Sequence, residues 1–380
     1  MLYSIAGFPL AHELEVYRGL LSRPQFRHLE NVLAGLTLNG KGEKNIMDMA
    51  EAAVDGRDQS CLNRFLHGRT WSAEAVNRLR LDQYARGRKG GALIIDDTLI
   101  EKAGHQMEWT GHLYDHCLKK TIWCHCHLTS LYSNGEVRVP LHFFTYVKEE
   151  VCARIGKQFK TKTELTVELI SMALEYVTPE VVLFDAWFGS KEILNHVAAL
   201  GHVFITQSKT NRLVWDGGEQ VQVNDYQTKH EKEFVATETG TEYCFCMEKV
   251  SAIKGGLTVK FVFLRIKKED ENTLVLMTNA VDMHPGEVIR QYKKRWDTEV
   301  FYRDCKQFLG MGEYQARSID VGVTHLLLVY LAYTILKGIA CRKLFPNIFQ
   351  GADSIGAMCE ALKRYMFRWM ARSNRATGPP

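Results

Sequence analysis

Between residues 92 and 207 the spacing of hydrophobic residues changes in an order that few folds can accept. The runs "ALIIDDTLIEKAG", "TIWCHCHLTSLY" and "VRVPLHFFTYV" read as three strands, the last two joined across Ser133-Asn134-Gly135, a strong hairpin signal. A helical pattern follows from Thr163 to Tyr176 and stops before Pro179. Next come "VVLFDAWFG", the helical "SKEILNHVAAL", Gly201 and "HVFITQSK". "VVLF" and "HVFI" are continuously apolar, as parallel strands covered on both faces must be. Three antiparallel strands followed by helix, strand, helix and strand predict a mixed sheet with helices on both sides.

That order is the one found in a ribonuclease-H-like core, so the fold class expected is α/β. Residues 1–88 carry helical periodicity and form an N-terminal helical domain, and "RKGG" at 88–91 ends it. The core begins at 89 and its first part runs to 209. From 210 to 283 the chain is strand-rich again, with turn signals at Asp216-Gly217-Gly218, Gly240 and Gly255-Gly256, which predicts a β-rich insertion interrupting the core. Residues 284–345 supply the last helices of the core, and 346–380 form a basic helical segment whose "RATGPP" end is expected to fray.

Composition narrows the partners. With 46% hydrophobic and 24% charged residues the chain is ordinary globular material, and its net charge is only +4. After Val288, however, Lys and Arg outnumber Asp and Glu about twofold, which permits a polyanionic partner. The 10 cysteines are scattered through apolar runs and no leader pattern opens the chain, so reduced thiols and a cytoplasmic location are expected. The longest apolar run, "LLLVYLAYTIL" at 326–336, is short of a bilayer span and reads as a buried helix rather than a membrane anchor.

Four acidic positions stand out. Asp96 and Asp97 interrupt an apolar strand, where a carboxylate must be paired, hydrogen-bonded or metal-bound, and as neighbours they point to opposite faces. Asp185 ends "VVLF" at the carboxyl end of a presumed parallel strand, where α/β folds gather their sites. Glu299 lies in "QYKKRWDTEVFYRDCK", where at about 100° per residue Tyr292, Arg295, Glu299 and Lys306 share one helical stripe. Carboxylates converging from distant positions can hold two divalent cations about 4 Å apart for in-line attack on a phosphodiester. Oxygen-only ligands favour Mg²⁺ or Mn²⁺.

The spacing Tyr292-x(2)-Arg295-x(3)-Glu299-x(6)-Lys306 resembles the Tyr-Arg-Glu-Lys signature of bacterial insertion-sequence transposases with an Asp-Asp-Glu active site. "DDT" at 96–98 and "FDAWFG" at 184–189 are similar to that group's two Asp motifs. The resemblance covers roughly residues 90–345 and implies cut-and-paste DNA transposition with two Mg²⁺ or Mn²⁺ ions. In the family an Asp directly before Thr holds metal, which implies Asp97 as first ligand, with Asp185 and Glu299 completing the set; whether Asp96 contributes stays open. It also implies phosphate contacts by Tyr292, Arg295 and Lys306, and Lys209 and Arg212 are further candidates. Trp215 and Trp187 could stack a flipped base, although the plainer expectation for each is a place in the core. Double-stranded DNA is the implied partner, its terminal inverted repeats read by the N-terminal helices. "LNRFLHGRTWSAEAVNRLRL" at 62–81 is reminiscent of a helix-turn-helix. Synapsis of two ends implies a homodimer or larger in a bacterial, nucleoid-associated setting.

Rival readings are a ribonuclease-H-like nuclease or resolvase, sharing the carboxylates without the Tyr-Arg-Glu-Lys stripe, and a domesticated transposase that only binds DNA. A zinc site in "HLYDHCLKKTIWCHCH" is disfavoured, because Cys124 to His127 alternate faces of one strand and no C-x-x-C spacing is present.

Overall fold

A computed structural model describes residues 2–240, 242–254, 256–270 and 272–376; Gly255 of one expected turn and residues 377–380 of the tail lie outside them. Four main helices come first: α1 (Arg23–Leu38), α2 (Ile46–Ala52), α3 (Gln59–Leu66) and α4 (Ala73–Tyr84). β1 (Ala92–Glu101), β2 (Gly111–Asp115), β3 (Lys120–Ser133) and β4 (Arg138–Tyr146) follow, then α5 (Lys162–Leu174), β5 (Val181–Phe184), α6 (Lys191–Ala199) and β6 (Val203–Gln207). The strand-rich stretch holds β7 (Leu213–Asp216), β8 (Glu219–Gln222), β9 (Val235–Glu238), β10 (Tyr243–Ala252), β11 (Thr258–Arg265) and β12 (Leu274–Thr278), with a short helix Val223–Lys229 that periodicity did not announce. The chain closes with α7 (Pro285–Lys293), α8 (Trp296–Phe308), α9 (Ile319–Arg342) and α10 (Ile355–Ala376).

One sheet of ten strands runs in the order β9-β10-β11-β12-β6-β5-β1-β3-β2, with β4 also paired to β3. β5 is parallel to both β1 and β6, and the remaining pairs are antiparallel. This is the mixed α/β architecture of a ribonuclease-H-like fold. The strand-rich stretch is continuous with the core sheet, since β12 pairs with β6 through Leu276↔Gln207 to Thr278↔Ile205. β7 and β8 form a separate hairpin whose loop, Gly217 and Gly218, takes φ of 57° and 95°, values that glycine adopts without strain.

The pleat sorts side chains onto two cores. Leu93, Ile95, Val182 and Phe184 meet Leu169 and Ile170 of α5 and Ile193 and Val197 of α6. Ala92, Ile94, Val181 and Leu183 join a second cluster with Phe301 and Cys305 of α8 and Val329 and Tyr333 of α9. The N-terminal helices share that second cluster, through Leu29, Val32 and Leu36 of α1, with Met358 and Leu362 of α10. Each such Leu or Ile contributes about 1.5–3 kcal/mol on burial. By length and composition α9 could cross a membrane, but 83% of its apolar window is buried inside the protein.

α4, the second half of the helix-turn-helix reading, is pinned inward. Arg80 is fully buried and donates to the carbonyls of Pro140 (2.6 Å) and Leu141 (3.0 Å), to Thr334 Oγ1 (3.0 Å) and to Asn77 Oδ1 (2.6 Å). Its outward face carries Glu74 paired with Arg78, and Asp82 paired with Arg86 just beyond the helix end. Arg80→Ala strands three acceptors in the interior, and we expect a loss of about 3 kcal/mol or more in urea unfolding. Arg342→Ala, which removes the pair between a half-exposed guanidinium and the more buried Glu13, should cost less than Arg80→Ala, about 1 kcal/mol.

Candidate active site

β1 pairs with β5 over only three residues, Ala92↔Val181 to Ile94↔Leu183. One step further along the same face, Asp96 follows Ile94 and Asp185 follows Leu183, so the register sets these two carboxylates side by side where the strands part. Asp97 continues the other face, that of Leu93 and Ile95. There Lys162 Nζ, from the first turn of α5, lies 2.6 Å from Asp97 Oδ2, and Cys126 Sγ is 3.3 Å from the same oxygen. A capping box starts α5 and aims Lys162: the Glu164 N–H donates to Thr161 Oγ1 (3.1 Å) and the Thr161 N–H to Glu164 Oε2 (2.7 Å).

The expected single helix over 291–306 is broken. α7 ends at Lys293 and α8 starts at Trp296; between them Arg295 N–H donates to the Tyr292 carbonyl and Thr298 N–H to the Arg295 carbonyl, bonds of the tighter i→i+3 kind. Tyr292 therefore belongs to a different helix from Glu299, with its ring 5.9 Å from the Arg295 guanidinium. α8 lies along β1 on the Asp96 face. Tyr302 Oη donates to the Asp96 carbonyl (3.0 Å) and Lys306 Nζ to the Leu99 carbonyl (3.1 Å). At its start Asp297 accepts from Arg138 (2.6 Å) and Ser133 Oγ (2.5 Å), fastening the helix to the β3–β4 hairpin.

These straps deliver Glu299 to the Asp96 face. Arg295 stands between the two, with one amino group 2.6 Å from Glu299 Oε1 and the other 3.6 Å from Asp96 Oδ2. Burial pushes the Asp96 carboxyl up to about 7; the Asp97 and Asp185 charges add to the rise and Arg295 opposes it. Burial likewise raises the Tyr292 phenol to about 12 and lowers the Lys306 amine. Asp185 Oδ1 accepts the Trp187 backbone N–H (2.8 Å), and the Asp185 carbonyl accepts from Thr206 Oγ1 (2.8 Å).

The remaining sequence candidates fall nearby or apart. Trp187 and Trp215 are 46% and 45% exposed, which corrects the core expectation for both. Trp187 follows Asp185, to which its backbone N–H donates, but its ring lies toward the Asp97 side, 5.1 Å from Lys162 Nζ, whereas Trp215 sits on the separate β7–β8 hairpin. Lys209 is exposed. Arg212 is half-buried and donates to the Gly189 carbonyl, tying the loop after Asp185 to the exit of β6, while its Nε has no partner. Lys162 and Arg138 were not among the sequence candidates. The capping signature "TKTE" at 161–164 was a visible signal for the first, but nothing local marks the second.

The donor set suits a hard divalent cation: Asp96, Asp185 and Glu299 offer only carboxylate oxygens on one face, and a cationic side chain already lies between two of them. As the side chains lie, no three His, Cys, Asp or Glu among the described residues converge closely enough to hold a metal. The family described as DDE superfamily endonuclease matches residues 15–235, more than half of the 380-residue chain. The match takes in Asp96, Asp97 and Asp185 and ends before Glu299, whose place rests on the geometry of α8. No curated protein matches the chain.

The raised Asp96 pKa has a sign that can be measured. Between the ordinary carboxylate value near 4 and about 7, the unfolded chain releases a proton that the folded one keeps, so stability falls as pH rises through this window. In metal-free protein Asp96→Asn should therefore be more stable than wild type at pH 8, by about 2–4 kcal/mol, with the gap closing toward pH 4 in a urea titration.

Proposed function

The chain belongs to the DDE superfamily of endonucleases, and from that premise we propose that it is a cut-and-paste DNA transposase that cleaves transposon ends and joins their 3′-hydroxyls to target DNA. The observation that carries the reading is the juxtaposition of Asp96, Asp185 and Glu299 on one face of the sheet, with Arg295 among them. This triad replaces Asp97 by Asp96 as first ligand, because Asp97 faces α5 and is held by Lys162.

Asp96, Asp185 and Glu299 would hold two Mg²⁺ or Mn²⁺ ions. When bound, such a pair supplies a nucleophile at neutral pH and offsets charge on the reacting phosphate. The protein's own groups do the positioning. Arg295 and Tyr292 stand beside the carboxylates, where a guanidinium fork and a phenol can take the phosphates flanking the cut. Lys306 acts by positioning: its amine is engaged with β1, so it holds α8, and Glu299 with it, in place. Exposed Lys209 borders the loop after Asp185 and suits the DNA backbone, while Arg212, bonded to the Gly189 carbonyl, holds that loop in place. Trp187, on the loop that follows Asp185, offers an exposed indole for an unstacked base. Recognition of the terminal inverted repeats falls to the N-terminal helices, and synapsis of two ends requires at least a dimer.

The test is cleavage and strand transfer of a labelled duplex carrying the element's own terminal repeats, in Mg²⁺. Asp96→Asn, Asp185→Asn and Glu299→Gln should each lose about 10³-fold or more in cleavage rate while retaining end binding, and Asp97→Asn should stay within about tenfold of wild type. Full activity of Asp96→Asn alongside a dead Asp97→Asn would reverse the assignment, and cleavage without joined products would leave a nuclease.

A further inference from the structure

We propose that Arg295 is a built-in counter-ion that closes the carboxylate centre in the free protein and gives it up when a DNA phosphate claims the guanidinium, so that DNA and divalent cation load together. The inference rests on the reading of Asp96, Asp185 and Glu299 as the cation site. Arg295 divides its fork between two of those acids, at 2.6 Å from Glu299 and 3.6 Å from Asp96. A guanidinium so placed uses the oxygens that a cation needs and stands in the space between them. Among the described residues no three acids converge at present, consistent with a site spread around an occupant.

The same side chain is placed to leave. Arg295 is the residue before α8, in the i→i+3 turn between two helices, and it is 22% exposed, so its guanidinium can swing to solvent without unwinding either helix. A phosphate diester offers the same paired-oxygen geometry as a carboxylate. Arg295 cannot satisfy Glu299 and a phosphate at full strength together, so DNA binding at Arg295 frees Glu299 and Asp96. By linkage the coupling is reciprocal: whatever DNA adds to cation affinity, the cation adds to DNA affinity.

Mn²⁺ binding, followed by loss of the free-ion electron paramagnetic resonance signal, tests this without any turnover. Arg295→Gln should bind Mn²⁺ about tenfold or more tightly than wild type in the absence of DNA. Arg295→Lys keeps the charge but cannot span both acids, and it should also bind more tightly than wild type. A short DNA duplex should tighten Mn²⁺ binding to wild type by a larger factor than to Arg295→Gln. Adding Asp96→Asn or Glu299→Gln to Arg295→Gln should abolish the tight binding. Equal affinity of wild type and Arg295→Gln, or Arg295→Lys as weak as wild type, overturns the counter-ion role while the carboxylate site stands. Tight binding indifferent to Asp96→Asn and Glu299→Gln overturns the carboxylate site itself.

Discussion

Two adjacent carboxylates in the middle of β1, where it has parted from β5 but still pairs with β3, impose the constraint on which the centre depends. The pleat sends Asp96 and Asp97 to opposite faces, and each needs its own compensation, because an isolated buried carboxylate is too costly to keep ionised. Lys162 answers Asp97 from α5, and Arg295 answers Asp96 from the turn before α8. The two faces thereby acquire different roles. On one the charge is matched by a close, partly buried lysine; on the other the acids outnumber the cations, since Asp96 and Glu299 share one guanidinium and the Asp185 charge lies near Asp96 as well. Surplus negative charge held at fixed positions is what a divalent cation requires.

Much of this was legible before any coordinates. The unbroken apolar runs "VVLF" and "HVFI" gave the parallel centre of the sheet, and the helix before each forms with ends within two residues of expectation, at 162–174 and 191–199. Asp185 and Glu299 could be singled out because one ends a buried strand and the other lies on a polar stripe. The choice between Asp96 and Asp97 could not be made that way: a pleat fixes that they diverge, but which face is which depends on where α8 packs, two hundred residues later. The break at Lys294–Arg295 was hidden for a similar reason. "YKKRWD" contains neither Gly nor Pro, and the turn accompanies straps that hold α8 to β1 and to the β3–β4 hairpin. The bond from Lys306 to a backbone carbonyl of β1 likewise leaves no trace in the sequence.

Arg80 shows the same limit. In "NRLRL" it reads as an exposed helix residue, yet it is among the most deeply buried side chains, because its acceptors are carbonyls sixty residues on and a hydroxyl on α9. Through it α4, β4 and α9 are locked together, and the residues before 88 become part of the body that carries the acids. Any reading of DNA by the N-terminal helices must use surfaces other than the inward face of α4, and motion at such a surface is transmitted to the core rather than absorbed by a linker.

The placement of α9 bears on how the polypeptide is made. It is apolar on nearly every side because it is wrapped by the first helices, the sheet and the last helix, and so its covering comes from both termini. During synthesis the N-terminal helices must wait, with Leu29, Val32 and Leu36 unsheltered, until about three hundred further residues have been added. A ribosome that stops early, or a protease that removes the last helix, therefore leaves a sticky species instead of a smaller working enzyme, and the supply of intact protein becomes sensitive to chaperones.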